Sequence, residues 1–221
     1  MLDRQSAYTA NLTAIPIPQP VTPPQTSIVS DTVLTVMDIP ALVDSADDLH
    51  LVTAMSGETD AWAGAALQRS LDAGATFATV NSSTLNAVMG ILQAPVTAAS
   101  PHYTDATNVV EVLLYTDDEI EEISEQAFRS EGGAFALSWN DSGTQRWELM
   151  QYRDAELIAP KTYRLTTLAR GRLNTEAAAH PVGAVFVLLD GAIQAHPTQS
   201  AWIGQDVTHR AVSTGHTPDG A

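Results

Sequence analysis

Carboxylates are the side chains this sequence offers most freely for chemistry, with 26 Asp and Glu against ten Lys and Arg and a net charge of −16. The densest run is Asp117-Asp-Glu-Ile-Glu-Glu-Ile-Ser-Glu125. Paired carboxylates hydrolyse glycosides when an apolar pocket keeps one protonated while the other stays ionised across the substrate. Here they crowd one short polar segment open to water, so the run reads as a solvated helix start. Asp47-Asp48 and Glu58-x-Asp60 fall in turn-like contexts, where such residues cap and solvate loops. The six histidines, at 50, 102, 180, 196, 209 and 216, include no pair at metal-binding spacing, and each is expected on the surface or in a loop. Gly132-Gly133 is followed by strand-like Ala-Phe-Ala-Leu, not by a helix whose N-terminus would bind an anion. No Gly-x-Ser-x-Gly elbow occurs. The expectation is a protein without catalytic residues, metal or cofactor, and not an enzyme.

Two constellations remain. Ser70-x-Asp72-x-Gly74-x-Thr76-Phe77 has a spacing similar to the Asp-box of sialidases and other β-rich proteins. Asp72 can bond the amides of its own turn, Gly74 supplies positive φ, and Phe77 is expected to pack the returning strand into the core. This is turn chemistry, and the box is read as a structural hairpin. Six of the ten basic residues, Arg146, Arg153, Lys161, Arg164, Arg170 and Arg172, lie within 27 positions. One expectation is that Arg170 or Arg172 pins its loop through Glu176 or backbone carbonyls. The other is a positive patch that docks the acidic face of a neighbouring subunit.

The elements that must position these residues read as β. Turn signals recur every eight to twelve residues from Ser27 onward, separating short runs rich in Val, Leu, Thr and aromatics. Strands are expected near 32–37, 50–55, 62–69, 76–80, 109–115, 134–139, 145–152, 155–159, 162–168 and 183–189. The fold class is mainly β, an antiparallel sandwich or barrel-like module with one short helix. That helix is placed at Asp118 to Phe128, opened by a capping box at Thr116-Asp-Asp-Glu119, with Ile120, Ile123 and Ala127 on one buried stripe. Pro16, Pro18, Pro20, Pro23 and Pro24 make residues 1–27 an extended linker or strap. Residues 28–215 form the β module, with a break between two sub-sheets near 93–108, and 216–221 a C-terminal tail.

With no cysteine, neither a disulfide nor a thiolate metal site holds this fold. The sequence carries no run of about 18 apolar residues and no basic-then-apolar start, so membrane insertion and export are not expected. The acidic balance disfavours nucleic acid and anionic membrane surfaces as partners.

Tyr163-Arg-Leu-Thr-Thr-Leu-Ala-Arg-Gly-Arg-Leu-Asn-Thr-Glu176, followed by Gly183-Ala-Val-Phe-Val-Leu-Leu-Asp190, resembles a segment in the C-terminal β-rich region of a tail-tip protein family. These are the large host-specificity, or baseplate megatron, proteins of phages and gene-transfer agents. Other stretches follow the family's order: the Pro-rich start, Val36-Met-Asp-Ile-Pro40 with Ala41-Leu42, the Arg69 to Phe77 hairpin, the Val109 to Leu114 strand, and Ala211-Val-Ser-Thr-Gly215. Together they cover most of residues 15–215, and the Arg170 to Glu176 loop is the specific part. Arg164, Arg170, Gly171, Arg172, Thr175 and Glu176 are the candidate interaction or loop-pinning residues. The sequence departs from the family at Leu173-Asn174, where Gly commonly precedes Thr-Glu; Asn tolerates left-handed angles, so the turn can survive. The family's upstream TIM-barrel domain, which resembles glycoside hydrolases, has no counterpart in these residues, and its activity is not carried over.

The resemblance implies a structural part of a siphophage-like tail tip or baseplate hub, assembled in the bacterial cytoplasm and carried in the virion. Its implied partners are other tail-tip proteins and upstream hub domains, in a homotrimer, with a host-envelope glycan as a further partner. Two other readings stand beside it. A carbohydrate-binding module would use Trp62, Trp139, Trp147 and Trp202, although Trp139 and Trp147 sit in strand-like stretches where aromatics more often fill the core. A glycoside hydrolase fragment would need two carboxylates sharing an open cleft.

Overall fold

The run from Ala184 to Leu188 is apolar at every position because both of its faces are covered: Phe186 points into one core and Val187 into another. It belongs to a closed barrel in a computed structural model that describes residues 30–40, 50–130, 132–202, 205 and 207–215. The expected strap at 1–27 and tail at 216–221 lie outside the described residues.

In chain order the strands are β1 (Thr32–Met37), β2 (His50–Gly57), β3 (Ala65–Ser70), β4 (Ala78–Ser83), β5 (Met89–Leu92) and β6 (Val110–Leu114). Then follow α1 (Glu125–Arg129), β7 (Ala134–Asp141), β8 (Thr144–Ala159), β9 (Thr162–Ala169), β10 (Val185–Leu188), β11 (Gln194–Pro197) and β12 (Thr208–Ser213). The protein is mainly β, and every strand pairing is antiparallel. The six strands β10-β5-β6-β9-β8-β7 close on themselves, so none of them is left as a bare edge. Two three-stranded sheets, β1-β2-β11 and β12-β3-β4, stand outside the barrel.

Alternation along the strands builds two cores back to back. Phe135, Leu137, Met150, Tyr152 and Phe186 fill the barrel. Ala136, Leu149 and Val187, their neighbours in sequence, face outward and meet Met37, Val52 and Ala54 of the first sheet. A third cluster, Met55, Ala65 and Leu67, joins that sheet to the second.

β8 is one strand of 16 residues, where two were expected. Its first half pairs with β7 and its second half with β9, so the change of partner, not a turn, breaks the apolar pattern. The stretch 93–108 does not divide two sub-sheets either. It links β5 to β6, which are neighbours in the barrel.

The helix is shorter than expected and starts later. Ser124 caps it by accepting from the Ala127 amide, so α1 spans only Glu125–Arg129. Thr116 does not form the expected capping box, because its hydroxyl bonds the Asp118 carboxylate and receives the Asn86 amide at 2.8 Å. Residues leading to Ser124 run alongside β8 instead: Ile123 N donates to Arg153 O at 2.8 Å and Tyr152 Oη to Glu121 O at 2.9 Å. Ile120 still reaches the barrel core.

Barrel closure depends on one small residue. Gly90 sits between β6 and β10, and a Cβ there would overlap the Leu113 carbonyl oxygen. Gly90→Ala should therefore cost about 1–3 kcal/mol in urea unfolding, as overpacking against backbone typically does. Gly191→Ala, where a Cβ meets nothing within 4 Å, should stay within about 0.5 kcal/mol. Equal midpoints for the two variants would show that closure tolerates a side chain at Gly90.

Candidate functional site

β8 carries Glu148 toward the barrel interior, two residues before Met150, and β9 ends immediately before Arg170. The two side chains meet at one end of the barrel, each with no exposed surface. Arg170 Nε donates to Glu148 Oε1 at 2.7 Å and Nη2 to Oε2 at 2.9 Å, the two-pronged geometry that suits a guanidinium to a carboxylate. The remaining guanidinium hydrogens go to the Ala178 carbonyl at 2.7 Å, the Thr97 carbonyl at 3.0 Å and Asp105 Oδ2 at 3.3 Å. All five donors of Arg170 are therefore used.

Glu148 is equally saturated. Beyond Arg170 it accepts from the Gly171 amide at 2.9 Å, the Ala178 amide at 3.1 Å and His180 Nε2 at 2.7 Å. Burial raises its pKa, but the His180 contact, the Arg170 hydrogen bonds and charge, and the Gly171 amide outweigh that and hold it below the usual carboxylate value. His180 Nδ1 lies 2.9 Å from the Ser138 carbonyl, which can only accept, so the network assigns a hydrogen to that nitrogen. Asp105 is likewise buried. Burial raises its pKa, yet donors from Asn108 and Thr107 bring it down to about 2.

Several expectations are corrected here. Arg170 does pin the loop, but its carboxylate partner is Glu148 of β8, not Glu176, which is exposed. Glu148 is not singled out by the sequence, and neither is His180, which lies in the connection leading to β10 but is buried and not on the surface. His196 is buried too, within β11 and 2.9 Å from Thr53 Oγ1. The signal for Glu148 was a lone acid inside the run Trp147 to Met150, all buried.

Arg170 sits beneath a raised crest. Gly171, Leu173 and Asn174 all take positive φ, at 59°, 50° and 64°. Gly171 is required by space as well, since a Cβ would lie 2.9 Å from both Pro101 Cβ and the Thr175 carbonyl. Thr175 ties the crest down: its Oγ1 donates to Arg172 O at 2.8 Å and accepts from Leu149 N at 2.9 Å. Arg172 and Leu173 are left exposed on top.

Most of the expected positive patch is neutralised internally. Arg164 pairs with Glu111 at 3.0 Å and Glu156 at 3.5 Å, Arg153 with Glu125 and Asp154, and Lys161 with Asp60 and Asp117. Of the six clustered cations, Arg146 and Arg172 make no ion pair among the described residues.

The Asp-box-like turn lies elsewhere, between β3 and β4. Ser70 Oγ donates to Asp72 at 2.6 Å, Thr76 Oγ1 and N donate to Asp72 at 2.6 and 2.9 Å, and Gly74 has φ +90°. The Ser70 and Thr76 donors hold Asp72 at about 2. Phe77 does not enter the core. It is half-buried beneath Arg210, whose guanidinium carbon stands 3.7 Å from the ring centre.

Removing one member of a buried ion pair strands the other in low dielectric, so Arg170→Met should cost about 3–5 kcal/mol in denaturant unfolding. The double variant Arg170→Met/Glu148→Leu should recover part of that loss; a double variant worse than the sum of the singles would refute the pairing. Asp105 supplies the acid limb. Its folded pKa is depressed, so its contribution is present above the usual value of 3.8 and fades as pH falls toward about 2. Asp105→Asn should flatten the stability profile across that window, followed by thermal melts against pH.

Residues 87–187 match the family model described as Rcc01698-like, C-terminal. The matched span coincides with the barrel, from just before β5 to β10, and so contains the whole Arg170 network. No curated protein matches the chain. On the barrel, then, the chain is similar to the C-terminal region of the Rcc01698-like family.

Proposed function

We propose that this chain is a structural module of a siphophage-like or gene-transfer-agent tail tip, offering docking surface to neighbouring hub proteins. The family description names no activity, so the functional content comes from the residues. The observation that carries the reading is the build of the Arg170 to Glu176 loop, the part of the sequence that most resembles tail-tip proteins. Its first arginine is consumed as an internal anchor, while Arg172 and Leu173 are displayed on a crest. Leu173 is 51% exposed at φ 50°, and a non-glycine residue in the left-handed region costs about 1–2 kcal/mol. A rigid, strained crest presenting one apolar and one cationic side chain suits a docking contact, with the cation seeking an acidic partner.

In this reading the chain makes and breaks no bonds, and its mechanism is shape and burial. Its partners are other tail-tip proteins and upstream hub domains, in a threefold assembly carried in the virion, and a host-envelope glycan is a further candidate. Peptide mapping of particles purified from producing cells should recover the 163–190 segment. Arg172→Glu/Leu173→Asp should leave the unfolding midpoint of the isolated chain within about 0.5 kcal/mol, since both side chains are exposed, yet deplete it from particles. Absence of these peptides from every particle fraction would overturn the reading.

A further inference from the structure

The six strands of the two outer sheets contain no aspartate or glutamate, in a chain that carries 26. The titratable side chains they do hold are basic: His50 on β2, Arg69 on β3, His196 on β11, and His209 and Arg210 on β12. Strand alternation sends three of these to one place. Ala65 and Leu67 face the cluster between the sheets, so Arg69, two positions on, shares their face, and His209 is paired directly across from it. His196 comes from the other sheet. Its Nε2 lies 2.9 Å from Thr53 Oγ1, and Thr53 stands two positions before Met55 of the same cluster. The seam between the sheets is thus apolar at one end, around Met55, Ala65 and Leu67, and basic at the other.

Among the described residues, no carboxylate offsets the basic end. Arg69 makes no ion pair there; its guanidinium carbon stands 4.0 Å from the ring centre of Trp202, in the β11–β12 connection. The other strands facing it bring no charge, β2 supplying Thr53 and β4 no titratable side chain. His50 alternates with Leu51 onto the opposite face of β2, and Arg210 turns to the far face of β12, where it bonds Gln68 Oε1 at 2.9 Å. His196 is buried and His209 half-buried. Burial, and then the charge of Arg69, hold both rings below the ordinary histidine value of 6.5, and His196 adds to the effect on His209. At neutral pH the seam closes around one cation. In acid it would have to hold three.

We propose that this seam is a pH-operated latch: protonation of His196 and His209 beside Arg69 drives the β12-β3-β4 sheet away from β1-β2-β11 at the basic end, while the barrel stays closed. Little opposes that opening. Thr32 Oγ1 and Ser213 Oγ share a hydrogen bond at 2.7 Å, but at the apolar end, and the bond from Asn81 Nδ2 to Gln194 Oε1 at 3.0 Å is exposed. The barrel does not depend on these rings, because its six strands pair with one another and carry neither histidine. Neutral rings support closure above about pH 6.5, where the open state is uncharged too, and that support is lost as pH falls through their lower values in the closed seam. The proposal rests on the seam and not on the tail-tip reading, so either can fail alone.

Hydrogen exchange on the 221-residue chain, read by mass spectrometry across about pH 5 to 8 and corrected for intrinsic rates, separates local opening from global unfolding. Peptides from β3, β4 and β12 should open several-fold more at the acid end of that range, while those from β6 and β9 keep their protection. The NMR titration midpoints of the His196 and His209 rings should coincide with that opening. His196→Gln/His209→Gln should abolish the pH dependence, and Arg69→Gln should raise both midpoints and lessen the opening. Should the double variant fail to fold, agreement or disagreement of the midpoints in the unaltered chain decides. Unchanged exchange in β3, β4 and β12 down to about pH 5 overturns the proposal. So does an equal loss of protection in the barrel, a pH dependence that survives in the double variant, or opening whose midpoint matches neither ring.

Discussion

A carboxylate sealed from water must receive its hydrogen bonds from the protein, and the fold around the Arg170 network is arranged to meet that demand. Glu148 draws donors from the side chain of Arg170, the amides of Gly171 and Ala178, and the ring of His180. Arg170 in turn reaches back 73 residues to Thr97 and 65 to Asp105. Fixing this pair fixes the path of three segments at once: the β5–β6 connection, the crest after β9, and the stretch that leads into β10. A buried pair of this kind need add little net stability compared with an apolar pair of the same volume. What it supplies is geometry, since this arrangement of the segments uses all five guanidinium hydrogens.

That constraint explains why the cationic stretch of the sequence presents so little charge outward. Arg153, Lys161, Arg164 and Arg170 each find carboxylates of the same chain, leaving Arg146 near the start of β8 and Arg172 on the crest. Exposed pairs such as Arg129 with Glu125 contribute little stability. Their effect is on recognition: among the described residues of the cationic stretch, Arg146 and Arg172 make no ion pair, and both lie close to Glu176 in space or in sequence, which gives this part of the acidic surface a defined polarity. A partner reading that polarity would be steered by Arg172 and oriented by the apolar contact of Leu173.

The β character, the barrel strands β6, β7, β9 and β10 and the special role of the Arg-Gly-Arg loop were legible because they rest on local signals: alternation, β-branched runs and glycine at a turn. β5 was not, since Gly90 interrupts Met89-Gly-Ile-Leu92 in the way a turn would, although its real function is to let β6 pass closely. β11 and β12 were hidden by His, Pro and Arg within short edge strands. The partner of Arg170 lay beyond sequence reasoning, because Glu148 is 22 residues away on another strand and nothing local distinguishes it from Glu176. The same holds for Thr116, whose hydroxyl is claimed by Asp118 and Asn86, a residue 30 positions upstream.

The sealed network and an open cleft lined by Trp139, Gln145, Arg146 and Thr175 adjoin on one hairpin. β7 and β8 extend together past the barrel, so that Glu148 faces inward near the rim while Trp139, Gln145 and Arg146 stand on the projecting end. Thr175 belongs to both, bonding the Leu149 amide on one side and lining the cleft on the other. A loop anchored through a fully satisfied ion pair is already ordered, so little of the binding free energy of a docking partner would go into ordering it. Rigidity in the barrel is thus the condition for presenting a fixed crest at its rim.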